Sequence, residues 1–417
     1  MTHAVPTQLT AAERRRWWLL ALIILAGILN YVDRQVIAVL KPVIEVEMGW
    51  SDADYGRLAS LFQFSAAIAF LFTGWIVDKL GVKWSVPAGV AAWSVAAMAH
   101  GGANTMLQFS AARVALGATE SMGTPSYVKT IGALFSAKMR SVAFGISNGA
   151  SNIGAIVTPL VLPLLAVAVG WRASFVVVGA LGFVWVALWL LATRGLALKP
   201  EVEEAAATSP KIGLRVLLRD RRTWGVAGAK SLSDQVWWLL LFWAPDFFHR
   251  VFGLGLKEIG APLAVVYGFA AVGSVFSGWI ASRLIARGYS INTVRKGSML
   301  VCALLVTPVP LAIFVDSYWA AVGLLGLTLA AHQGFSTNMF STIADIVPKA
   351  RVGSVTSFGA FCGNLAGMGI VFLAGELLSN GAGYLPLLLI AAASYLLALL
   401  WLQLWVPRLQ VAEPAAA

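Results

Sequence analysis

Charge is what this 417-residue chain has least of. Asp, Glu, Lys and Arg together make up 12% of it, where a soluble domain carries about 25%. With 59% hydrophobic residues and a mean hydropathy of +0.80, it has too few polar side chains to cover a water-facing surface, so lipid must be its solvent. Cysteine is nearly absent: Cys302 and Cys362 each lie inside an apolar run, which excludes a disulfide framework and suits small packing residues. The four histidines include no pair spaced four apart, so neither a metal site nor a metal cofactor is expected. No phosphate loop and no nucleophile elbow occur, and no clustered nucleophile and base, so the chain is not expected to be an enzyme. The short polar termini argue against a sensor with a soluble signalling domain.

What the chain has instead is long apolar runs. A bilayer core needs about 20 apolar residues per helix. Twelve candidates fall roughly at 17–40, 54–77, 84–103, 107–128, 141–168, 172–193, 223–246, 258–284, 297–315, 318–342, 352–376 and 383–406. Continuous apolar runs satisfy their backbones in lipid only as helices, and the alternation of a membrane barrel is missing. Arg14-Arg15-Arg16 followed by an apolar run imitates a secretory signal. The run continues to about Leu40 and carries Asp33 and Arg34, so it reads as a retained first span.

The formal charge is +11, and its distribution decides its meaning. Lys79, Lys83, Lys138, Arg140, Arg283, Arg287, Arg295, Lys296, Lys349 and Arg351 sit in connections on one side, together with Arg14 to Arg16. The first opposite connection holds Glu45, Glu47, Asp52 and Asp54. Membrane topology explains this pattern, with both termini cytoplasmic, and no nucleic-acid partner is expected. The longest polar segment, 194–222, reads as a cytoplasmic linker between an N-terminal bundle (1–193) and a C-terminal bundle (223–417). Thr73-Gly74-Trp75-Ile76 and Ser277-Gly278-Trp279-Ile280 close the second and eighth spans. Two six-helix halves with a parallel repeat are the architecture of major facilitators.

The segment Gly74-Trp75-Ile76-Val77-Asp78-Lys79-Leu80-Gly81-Val82-Lys83 resembles the loop motif of the major facilitator superfamily. That resemblance implies that Gly74 lets helices approach closely. It also implies that Asp78, Lys79 and Lys83 belong to a cytoplasmic gate, with Asp78 pairing with basic residues across it. The second copy has Ser282 in place of the acid. Tyr31-Val32-Asp33-Arg34, with Arg113 and Glu120 in the fourth span, resembles the anion:cation symporter branch and its substrate and proton residues. Asp234-Gln235-Val236-Trp237-Trp238 with Phe242-Trp243-Ala244-Pro245, and Ala331-His332-Gln333-Gly334-Phe335-Ser336-Thr337-Asn338, resemble the hexuronate-transporter subgroup, with departures at Gln235 and Phe335.

Charged groups inside a bilayer default to function. Asp33 lies roughly 10 Å deep from one end of its helix, and Arg113 roughly 9 Å deep from the same side. The two are therefore expected to face each other. Glu120 follows Arg113 by seven positions, so both project from one helix face, and Arg113 is placed to exchange between Asp33 and Glu120 as protons come and go. Arg34 has the planar fork that grips a carboxylate, with Tyr31 beside it. Hydroxyl partners for a sugar acid are expected from Asn148 and Asn152, from His332, Gln333, Ser336 and Asn338, and from Asn364. Trp237 and Trp238, mid-span, offer indole faces to a sugar ring. Interhelical hydrogen bonding and core packing account for the same amides and indoles. The sum is an all-α, twelve-helix, multi-pass inner-membrane carrier in two six-helix bundles, expected as a monomer. It is expected to import a hexuronate by alternating access with a proton as coupling ion. Another organic anion (aldonate, tartrate-like or aromatic carboxylate), moved by exchange or sodium coupling, is the alternative.

Overall fold

In the computed structural model the described residues are 11–135, 152–196 and 214–409, with isolated positions between 136 and 151. Asn148, Lys138, Arg140 and residues 197–213 of the expected linker lie outside them. The regular elements among the described residues are all helices. They are α1 (Ala11–Met48), α2 (Asp52–Gly101), α3 (Met106–Glu120), α4 (Gly123–Leu134), α5 (Ile153–Val169), α6 (Trp171–Ala192) and the short α7 (Leu214–Arg219). After it come α8 (Arg221–Phe252), α9 (Gly260–Ala286), α10 (Ile291–Val306), α11 (Tyr318–Ile346), α12 (Lys349–Ser379) and α13 (Leu385–Trp405). Among the described residues, seven segments are individually long and apolar enough to cross a bilayer: Glu13–Met48, Asp52–Gly81, Trp171–Ala192, Gly260–Ala286, Ile291–Ile313, Arg351–Ser379 and Leu385–Trp405. Large apolar side chains such as Val275, Phe276 and Leu404 point outward, as a lipid-facing surface requires.

Two breaks shape the first helices. At Gly81 the 50-residue α2 adopts φ 70° and ψ 170°, a combination open in practice only to glycine. α2 is therefore two helices end to end, with the break between the second and third expected spans. The fourth expected span is also divided: α3 ends at Glu120 and α4 begins at Gly123. Such interruptions inside a membrane are tolerated where the backbone lines a cavity.

The repeat extends beyond the short sequence echo. Gly49 and Gly253 end α1 and α8 with φ of 67° and 68°. Asp54 accepts a hydrogen bond from the Ser51 amide at 3.0 Å, and Glu258 accepts one from the Gly255 amide at 2.7 Å. Gly253 follows Gly49, Glu258 follows Asp54, and Gly278 follows Gly74, each by 204 residues. A single spacing thus relates helix end, helix start and loop motif in the two parts of the chain.

Helices α1–α6 pack chiefly on one another, as do α8–α13. The two sets meet where α2 lies against α12, α5 against α9 and α1 against α8.

Candidate functional site

Two intramembrane cations of the first set, Arg34 and Arg113, converge on the Phe62 ring, and Glu120 joins them through Arg34. The Arg34 guanidinium on α1 donates to Glu120 Oε2 through Nη2 at 2.9 Å and Nε at 3.2 Å, and to Asn30 Oδ1 at 3.1 Å. The Glu120 carboxylate is 1% exposed and the Arg34 side chain 16%. Aromatic faces enclose the cation: its Cζ lies 5.4 Å from the Tyr31 ring centroid, 5.2 Å from Phe62 and 5.3 Å from Trp238. Arg113 approaches the same Phe62 ring at 4.9 Å. It is fully buried, and none of its three guanidinium nitrogens has a hydrogen-bond partner.

This arrangement corrects one expectation. Asp33 and Arg113 do not pair; Asp33 is buried, with Oδ1 unbonded, and the acid of α3 is held by Arg34 instead. The reason is angular. Consecutive residues of a helix point about 100° apart, so α1 can present only one of Asp33 and Arg34 to α3, and it presents the arginine. Arg113 and Glu120 do share the buried side of α3.

A cavity of about 140 Å³ lies beside the Arg34–Glu120 pair, with Gln63, Tyr127, Trp238 and Asn364 among its walls. Trp238 is seated by close packing of α8 on α12. A Cβ added at Gly359, Gly363 or Gly367 would meet Lys230, Asp234 or Trp238 respectively. Lys230 and Asp234 neutralise each other at 2.9 Å, as their spacing of four suggests. Asn364 donates to the Ala360 carbonyl at 2.9 Å.

Other expected site residues are placed elsewhere. Trp237 stacks on His332 with centroids 5.3 Å apart, and His332 Nδ1 meets the Tyr395 hydroxyl at 2.6 Å. Asn338 donates to Ser277 Oγ at 2.8 Å and to the Gly334 carbonyl at 2.9 Å, which fastens α11 to α9. Asn152 precedes α5, and Gln333 and Ser336 are half-buried on α11. None of these six lies in the cavity wall. Sequence reasoning missed Gln63, Tyr127 and Asn30. The signal for Gln63 was present, a lone amide in the apolar second span.

The closed end of the cavity was also unforeseen. Where α1 finishes, Lys41, whose side chain is 0% exposed, donates to Glu45 at 2.6 Å, Asp52 at 2.9 Å and Asp246 at 2.6 Å. Arg250 reaches Asp52 at 2.7 Å and Asp246 at 3.3 Å, and the Tyr384 hydroxyl donates to Asp246. Further bonds join the two sets close by. The Tyr55 hydroxyl donates to the Phe242 carbonyl at 2.7 Å, Ser60 to the Met368 carbonyl at 3.1 Å and Arg57 to Glu376 at 3.3 Å. Among the described residues, every hydrogen bond and ion pair between the two sets lies at this end.

The expected gate at the opposite end is different here. Asp78 is 73% exposed and pairs with Lys129 of α4 at 2.9 Å, within its own helix set rather than across the two. Lys79 lies 3.9 Å from the Trp75 ring and Lys83 5.8 Å from Trp84. A Cβ at Gly74 would meet nothing within 4 Å, so Gly74 makes no close helix contact. Among the described residues, no hydrogen bond or ion pair joins the two sets at this end.

The sequence profile described as Major Facilitator Superfamily matches residues 23–371. The chain is 27% identical over 399 residues to a hexuronate transporter of Escherichia coli K12, covering 92% of each. It is 28% identical over 377 residues to a probable L-galactonate transporter of the same strain, covering 86% of this chain and 83% of that one. It is 26% identical over 322 residues to a galacturonate transporter of Dickeya chrysanthemi, covering 73% and 93%. Its fold matches a bacterial homologue of the human lysosomal transporter Spinster, solved in an inward-facing, unoccupied conformation. The TM-score is 0.72 at 19% identity, over 94% of this chain and 96% of that one.

Proposed function

The chain belongs to the major facilitator superfamily, and from that premise we propose that it imports a sugar acid, a hexuronate such as glucuronate or galacturonate, with a proton as coupling ion. It is a multi-pass protein of the bacterial inner membrane and a transporter, not an enzyme. In this reading the chain crosses the bilayer twelve times with both termini cytoplasmic, works as a monomer, and divides into bundles 1–193 and 223–417 joined by 194–222.

The observation that carries the proposal is the Arg34–Glu120 pair at the cavity wall. Arg34 supplies the planar fork that a carboxylate needs, yet its fork is occupied by an internal carboxylate. An anionic substrate therefore competes with Glu120. Protonation of Glu120 removes the competitor's charge and releases Arg34, so proton and anion load together. Asp33, one position from Arg34 and unpaired, is the second acid placed to take a proton. Arg113, buried without a partner over Phe62, keeps the site attractive to a negative charge while Arg34 changes hands. Trp238 supplies an indole face for the sugar ring from the opposite helix set.

The closed layer around Lys41 is one of the two gates. Rocking of the bundles about the midplane then exposes the cavity to each side in turn. The similarity to a probable L-galactonate transporter, at nearly the same identity, favours an aldonate as the second reading. Uptake of labelled hexuronates and aldonates by purified protein in liposomes, with and without an imposed pH gradient, tests both. No accumulation of any of them under an inward proton force overturns the proposal.

A further inference from the structure

Polar atoms without partners gather beside the cavity. Gln63 on α2 is 1% exposed, contributes to the cavity wall, and leaves both its amide Nε2 and Oε1 unbonded. Tyr127 on α4, another wall residue, has a buried hydroxyl without a partner. Buried amides and hydroxyls are nearly always satisfied, because an unmet one gives up its hydration and gains nothing in exchange. Single unbonded atoms occur elsewhere too, on Gln35, Ser85, Ser94, Asn338 and Thr342 among others, but Gln63 has both ends of its amide unbonded and shares one cavity wall with the unbonded Tyr127 hydroxyl.

We infer that Gln63 and Tyr127 bind the hydroxyl groups of a polyhydroxylated acid and thereby set the preference for sugar acids over plain carboxylates. The inference deepens the proposed function and rests on it. A primary amide presents a donor and an acceptor side by side, which matches neighbouring hydroxyls, each both donor and acceptor. A phenol adds a second partner of the same dual kind. Arg34 then fixes the carboxylate, Trp238 covers the apolar face of the ring, and Gln63 and Tyr127 reach the hydroxyls. A plain carboxylate of the same size leaves these groups unmet, so the site rejects it.

The test uses two probes on purified full-length protein: glucuronate, and tetrahydropyran-2-carboxylate, which keeps the ring and the acid but lacks the hydroxyls. Binding is measured by calorimetry for the wild type, Gln63→Leu and Tyr127→Phe. The expected result is a preference of the wild type for glucuronate, an affinity for glucuronate about 30-fold lower in Gln63→Leu and about 5-fold lower in Tyr127→Phe, and unchanged binding of the hydroxyl-free acid in both. Tyr127→Phe removes a single oxygen, so it repeats the comparison should Gln63→Leu fail to fold. Equal weakening of both probes assigns these residues to packing and overturns the inference, as does unchanged glucuronate binding in the variants. A wild type that binds neither probe instead overturns the proposed function, and the inference with it.

Discussion

Arg34 and Trp238 are repeat-equivalent positions, 204 residues apart, and they touch: the guanidinium carbon lies 5.3 Å from the indole centroid. The same spacing relates the glycines that end α1 and α8, so the two residues occupy corresponding sites on corresponding helices. The chain has placed a cation at one and an aromatic face at the other. The repeat is symmetric in backbone and asymmetric in chemistry, and the cavity lies where the two meet. A cation over an indole is stabilised by about 0.5–2 kcal/mol, depending on desolvation.

Arg34→Lys keeps the charge but loses the fork and the stacking plane. Affinity for a hexuronate is expected to fall about 100-fold, the scale of a lost charge-assisted hydrogen-bond pair. Trp238→Leu, which removes only the ring face, is expected to cost about 10-fold. Titration calorimetry on detergent-purified protein reads both. Wild-type affinity in Arg34→Lys would remove Arg34 from the carboxylate site.

Two neutralising variants separate the acids. Glu120→Gln leaves Arg34 without its internal competitor, so hexuronate binding is expected to persist and to lose its dependence on pH. Asp33→Asn is expected to abolish proton-driven accumulation while some counterflow exchange remains. Liposome uptake with a pH gradient, set beside exchange without one, gives both readouts. Uphill uptake at the wild-type level in either variant excludes that acid from coupling.

The layer around Lys41 makes a prediction about access. Removing one member of a buried ion group destabilises it by about 3–5 kcal/mol. Lys41→Met is therefore expected to raise the population opened at that end by 10-fold or more. The measurement is labelling of Ala66→Cys, a cavity-wall position, in a background lacking Cys302 and Cys362, by a membrane-impermeant maleimide added on that side. An unchanged labelling rate would show that Lys41 does not hold the layer shut.

Glycine at 81 is set by backbone geometry, and glycine at 74 is not. Gly81→Ala forces a side chain into φ 70°, ψ 170°, at an expected cost of about 1–3 kcal/mol. Gly74→Ala adds a methyl with nothing near it and is expected to stay within about 0.5 kcal/mol. Thermal denaturation in detergent compares them. Equal stability of the two variants would contradict the assigned conformation.

Reading the helices from the chain worked because lipid makes hydropathy and secondary structure one problem. The charged residues of α1 and α3 stood out for the same reason, since each is costly inside a bilayer. Partner choice was not legible. Whether Asp33 or Arg34 faces Glu120 depends on a rotation of α1 that depth along the helix axis does not specify. The Lys41 layer was hidden because Lys41 and Asp52 flank the first connection, where charge reads as solvated, and Asp246 lies 205 residues from Lys41. Gln63 and Tyr127 carry no motif; Gln63 shows only as a lone amide in the second span, and it is their unbonded polar atoms in the cavity wall that distinguish them.

The composition of the Lys41 layer has a consequence for reversibility. Pulled apart along the seam between the helix sets, the cluster leaves Lys41 with Glu45 and Asp52 on one side, and Arg250 with Asp246 and Tyr384 on the other. Each fragment keeps its own cation beside its own acid, so no isolated ion is exposed when the seam parts. It is a clasp with one neutral piece and one carrying a single excess negative charge, able to fasten and release repeatedly.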